Sequence, residues 1–204
     1  MRVEGTHYRS IWFNQSSRDV RIIDQRWLPF EFRIAALKTR AQFATAIRDM
    51  WVRGAPLIGV TAAYGVAMEM ASDPSDQALD EVWHILNKTR PTAINLRWAL
   101  DRCRNHLAPM VPEVRPVAAL QLARDIAEED VETNRMLGLH GLSVIKDIAA
   151  RKPLGEPVRV LTHCNAGWLA TVDWGTATSP IYQATEAGID VYVYADETRP
   201  RNQG

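Results

Sequence analysis

The stretch that most limits what this chain can fold into runs from Val158 to Ala195. Val158–Thr162 is a short apolar run, residues 179–187 have helical character, and Ile189–Ala195 is apolar again. Strand, helix and strand at that spacing form a βαβ unit, and such a unit implies a parallel sheet. Parallel strands are normally covered on both faces, and one helix cannot cover both. Further strands are therefore expected, from a longer form of the chain or from a partner.

Upstream the pattern changes character. Arg151-Lys152-Pro153-Leu154-Gly155-Glu156-Pro157 is polar and rich in turn formers, and makes the best boundary. The fold expected is α/β: residues 1–150 form an N-terminal domain of small β-strands plus helices, and residues 151–204 the first part of a Rossmann-like parallel-sheet domain. Ile11–Phe13 and Val20–Ile23 read as strands, and Phe30–Ile34 alternates with period two as a third. Thr39 can cap a helix reaching Met50, and Ser75 one striped by Leu79, Val82, Trp83 and Leu86. Thr92 is expected to start another, with Leu96, Leu100, Cys103 and Leu107 in register, which files Cys103 as core. A helical region from about Pro116 to Ala149 is expected to break near Gly138 and Gly141.

Composition removes several classes of function. Lys+Arg and Asp+Glu both number 24, so no bulk charge draws the chain to nucleic acid or to an anionic membrane. The start, M-R-V-E-G-T-H-Y-R-S, lacks a signal-peptide core, and the most apolar window, Pro56 to Ala71, is short for a membrane span. Two cysteines without regular spacing fit a reducing compartment, so a cytoplasmic protein is expected. Neither nucleotide-binding glycine fingerprint occurs, nor G-x-S-x-G. The histidines (His7, His84, His106, His140, His163) show no ligand spacing, and neither metal nor cofactor is called for.

Three places can carry chemistry. Cys164, in L-T-H-C-N-A-G-W, follows the strand Val158–Thr162, and loops at the carboxyl ends of such strands are where open α/β sheets bind ligands. Asn165 and Gly167 can stop the strand and tolerate positive φ. A thiol here can equally be a small buried hydrophobe, and His163 beside it should point to the opposite face. Arg53-Gly54-Ala55-Pro56 opens a helix whose first amides could face an anion, with Arg53 as a guanidinium grip. The plain alternative is a tight helix connection with a solvated arginine. Arg90-Pro91 repeats the scheme, and the pair suggests a phosphorylated small molecule. Finally, Asp196-Glu197-Thr198-Arg199-Pro200-Arg201-Asn202-Gln203-Gly204 follows a strand and belongs on the sheet edge of Cys164, as a polar site or a salt-bridged turn.

Four motifs, V-R-G-A-P-L-I-G, T-R-P-T-A-I-N-L, L-T-H-C-N-A-G and A-D-E-T-R-P-R-N-Q-G, occur in this order, preceded by Y-R-S-I-W and I-I-D-Q-R-W-L-P. Together they resemble the methylthioribose-1-phosphate isomerase family of methionine salvage, over essentially the whole chain. The resemblance implies a cofactor-free aldose–ketose isomerisation of a phosphorylated pentose, by an enzyme that is usually a homodimer. It implies Cys164 as the catalytic thiol, and Arg53, Gly54, Ala55, Arg90 and Gln203 as substrate contacts. The family's catalytic aspartate lies in a segment beyond these residues, and Asp173 and Asp196 do not replace it. The 204 residues alone are expected to be inactive. Two relatives of that family stay open: a sister isomerase acting on ribose 1,5-bisphosphate or 5-deoxyribose 1-phosphate, and the non-catalytic regulatory subunits of a translation initiation guanine-nucleotide exchange factor.

Overall fold

The computed structural model describes residues 2–196. The elements are β1 (Arg2–Val3), β2 (Thr6–His7), β3 (Ile11–Asn14), β4 (Asp19–Ile23), β5 (Ile34–Leu37), α1 (Arg40–Arg48), α2 (Ala55–Ser72), α3 (Asp76–Asn87), α4 (Ile94–Leu107), α5 (Arg115–Ala149), β6 (Val158–Thr162), α6 (Ser179–Glu186) and β7 (Val191–Ala195). Short 3-10 turns lie at Pro112–Val114 and Trp168–Ala170. No helix among the described residues is long and apolar enough to cross a membrane.

α2 is the axis of the larger core. Apolar or small residues surround it on all sides, so it is buried almost throughout and packs against α1, α3, α4 and α5. Gly59 and Gly65 let neighbours come close: a methyl on Gly59 would lie 2.9 Å from the Asn95 carbonyl oxygen. The antiparallel sheet β3-β4-β5 adds Ile11, Val20, Ile22 and Leu37 to the same core. Thr39 caps α1 in a full capping box with Gln42, and Ser75 caps α3, as their sequences predict. Cys103 is buried in the α4 stripe, and burial pushes its thiol up to about 12.

Three expectations need correction. Phe30–Arg33 is not a strand; the ladder starts at Ile34, because residues 24–31 coil into turns closed by Trp27 and Phe30 N–H bonds. Thr92 does not cap α4. Arg90–Ala93 closes a turn (Ala93 N–H to Arg90 O, 3.0 Å), and the helix begins at Ile94. α5 does not break at Gly138 or Gly141 but runs straight through for 35 residues. The two glycines are contact points for α6. A methyl on Gly138 would meet Gln183 Nε2 at 2.2 Å and Ser179 Oγ at 2.3 Å, and one on Gly141 would meet Pro180 Cγ at 2.4 Å. Ser179 Oγ and Gln183 Nε2 then donate to the Asn134 and Arg135 carbonyls, fastening α6 along α5.

Gly138→Ala tests this packing. Helix propensity alone favours alanine by about 1 kcal/mol, yet both clashing side chains are buried. Overpacking of about 1–3 kcal/mol should outweigh that gain, leaving a net loss of up to about 2 kcal/mol, read as a lower denaturant midpoint.

β6 and β7 form a parallel pair in the register Val158↔Val191 to Thr162↔Ala195. One face rests on α5 and α6 through Val158, Ile145 and Ala184. The other presents Leu161, Tyr192 and Tyr194 to solvent.

Candidate functional site

The register brings the carboxyl ends of β6 and β7 together, so Cys164 and Asp196 stand on one edge. Cys164 is exposed and adopts φ +71°, a left-handed conformation uncommon for a side-chain-bearing residue. The positive φ expected for Asn165 or Gly167 thus falls on the thiol residue itself; Gly167 has φ −78°. Such strain recurs at functional sites, where surrounding contacts hold it in place. His163 meets the Asp196 carboxylate across the strand ends rather than Cys164.

The turn after the thiol is pinned against the helical core. Ala166 O accepts from Thr176 N–H and Thr178 Oγ1. Val172 is wholly buried; its N–H donates to the Asp130 carboxylate (2.7 Å) and its O accepts from Ser10 N–H (2.9 Å). Ser10 Oγ donates to Trp168 O, and Gln25 Nε2 to Leu169 O at 2.7 Å. Burial pushes the Asp130 carboxyl up to about 6, although hydrogen bonds from Val172 and Asn134 oppose the shift. Burial would also raise Asp173, but hydrogen bonds, Trp174 N–H and His7 Nε2 among them, hold it below the usual carboxylate range.

The arginine loop closes on the same turn. Gly54, at φ +92°, is the N-cap of α2, and a methyl there would lie 2.3 Å from Ala170 Cα. Only glycine lets the two backbones come this near. Arg53 is half-buried and donates from Nη2 to Gln25 O at 2.6 Å, while Ala55 is exposed at the helix mouth. Arg90 precedes α4, whose second residue, Asn95, packs on Gly59 of α2. The α2 and α4 entrances therefore lie at one end of the helix layer. The loop carrying Arg53, Gly54 and Ala55 meets the turn that follows Cys164 at Ala170, Arg90 stands at the neighbouring helix mouth, and Gln203 lies outside the described residues.

Sequence reasoning passed over Gln25, Ser10 and Asp130, which hold the turn. A signal existed for the last: Asp130 and Asn134 are polar, four apart, on the buried side of an otherwise apolar helix stripe. Among the described residues no cluster of His, Cys, Asp and Glu could hold a metal ion.

A parallel strand pair carrying a strained thiol turn, docked on a helix bundle, defines an α/β class. The chain belongs to the Initiation factor 2 subunit family, whose sequence profile matches residues 51–204. Within it the chain is similar to the methylthioribose-1-phosphate isomerases of Brucella anthropi, Sinorhizobium medicae and Escherichia coli, at 67%, 66% and 57% identity over 204 residues. These alignments cover 100% of this chain and 56%, 56% and 55% of the relatives, so the chain spans little more than half their length. Among solved structures it is similar to 5-methylthioribose 1-phosphate isomerase from Pyrococcus horikoshii (TM-score 0.82, 34% identity, 98% of this chain and 55% of that one). It is also similar to translation initiation factor eIF-2B, subunit delta, from A. fulgidus (TM-score 0.80, 36% identity, 97% and 57%).

Proposed function

We propose that this chain supplies the thiol and the phosphate grip of an aldose–ketose isomerase acting on 5-methylthioribose 1-phosphate to give 5-methylthioribulose 1-phosphate. The observation that carries this is the contact of Gly54 with Ala170, which sets the arginine loop against the turn of the only exposed cysteine among the described residues. The names and high identity of the isomerase relatives support the choice of substrate. In this scheme Arg53, Gly54, Ala55, Arg90 and Gln203 hold the sugar phosphate, with the α2 mouth adding its amides. Phosphate on the anomeric oxygen blocks simple ring opening. The site must therefore assist opening and move a hydrogen from C2 to C1, with Cys164 at the reacting carbons. Its acid partner lies beyond these residues. The enzyme acts in the cytoplasm as a homodimer, without a cofactor or a nucleic-acid partner, and the chain divides near residue 150.

The eIF-2B-like structure favours a second reading, a non-catalytic regulatory subunit. One assay separates the readings. The protein at the length of its isomerase relatives is given 5-methylthioribose 1-phosphate, ribose 1,5-bisphosphate and 5-deoxyribose 1-phosphate, beside the 204-residue chain alone. Ketose formation from the first sugar by the longer protein only is expected. Preference for another sugar reassigns the substrate, and turnover of none leaves the regulatory reading.

A further inference from the structure

We infer that Gln25 is a positioning residue that fixes Arg53 relative to Cys164; this rests on the isomerase reading above. Gln25 is 5% exposed, in the loop after β4. Its backbone holds the arginine loop from two sides: Gln25 N–H donates to Trp51 O at 2.9 Å, and Gln25 O accepts from Arg53 Nη2 at 2.6 Å. Its side-chain amide crosses to the other loop, donating to Leu169 O at 2.7 Å, in the turn that follows the thiol. One buried residue thus touches both halves of the site without being at its surface. Ser10 and Asp130 pin the same turn from the β3 and α5 sides, through Trp168 and Val172.

The chemistry explains why such a link matters. The phosphate sits on C1, next to the carbon that must lose hydrogen, so the distance from phosphate grip to thiol is the reaction coordinate's frame. A displacement of about 1 Å can cost on the order of 10²-fold in rate. A buried amide donating to a carbonyl holds that distance better than a solvated contact.

Two variants, made in the protein at its relatives' length, test the link. Gln25→Leu keeps the bulk and loses the donor. Because Arg53 binds a backbone oxygen, KM should stay within about threefold, while kcat falls by roughly ten- to a hundredfold. Gln25→Glu can donate to Leu169 O only when protonated. Its kcat relative to wild type should therefore recover as pH is lowered, read at pH values where circular dichroism shows the variant folded, because a buried charged carboxylate also weakens the fold. Alkylation of Cys164 by iodoacetamide gives a readout independent of turnover, since Cys103 is buried; the rate should differ between wild type and Gln25→Leu. Unchanged kcat in Gln25→Leu, a rise in KM alone, or a Glu variant without low-pH recovery overturns the inference. If the wild type turns over no sugar, the isomerase reading fails, and equal alkylation rates then also dismiss the link.

Discussion

On the proposed function, replacing Cys164 by serine in the protein at its relatives' length is expected to lower turnover by on the order of 10²–10⁴-fold, the span associated with losing one positioned proton-transfer group. The fold should not notice. Cys164 is exposed, so the smaller and more polar Oγ meets solvent rather than a packed wall. The left-handed φ of +71° belongs to the backbone and is kept by the β6–β7 ladder before it and by the anchors after it, at Ala166, Leu169 and Val172. A hydroxyl is a far weaker acid than a thiol and a poorer nucleophile at neutral pH. Rate and stability should therefore separate: steady-state turnover collapses and the thermal unfolding midpoint barely moves. A serine variant with full activity would remove Cys164 from the mechanism.

Gly54→Ala should do the opposite and strike both. The added methyl would lie 2.3 Å from Ala170 Cα and 2.4 Å from its carbonyl oxygen, neither of which can rotate away. At φ +92° an L-residue is strained even without the clash. Strain of about 1–3 kcal/mol and overpacking of about 1–3 kcal/mol together place the loss at roughly 2–6 kcal/mol. Relief by separating the loops would carry Ala170, and with it the thiol turn, away from Arg53. Calorimetry should show a lower midpoint, and any soluble variant should turn over at least about tenfold more slowly. Wild-type stability in Gly54→Ala would mean that the two loops are not in contact.

Much of the fold was legible because local rules and tertiary packing agreed. The α3 stripe, the Thr39 and Ser75 caps and the β6–α6–β7 unit follow from spacing alone. The errors came where distant contacts decided. Phe30–Arg33 alternates like a strand, but its neighbours coil and only Ile34–Leu37 reach β4. Gly138 and Gly141 look like breakers, yet α6 lies where their side chains would be. For the site, the motifs pointed to Cys164 and to the Arg53 loop. That the Arg53 loop touches the turn after Cys164 through Gly54 and Ala170, more than a hundred residues apart, cannot be read from either motif. Nor can Gln25 be found from sequence, since its role depends on what faces it.

The unbroken α5 keeps phase for the whole arrangement. Asp130 on it holds the thiol turn, while Gly138 and Gly141 receive α6, which backs the strands leading to that turn. A helix advances about 100° per residue. One residue inserted between Asp130 and Gly138 would rotate the α6 seat by that angle while leaving the Val172 anchor behind. Length changes in this protein should therefore be accommodated in the turn-rich link at residues 151–157, and the span from Asp130 to Gly141 should be fixed in length.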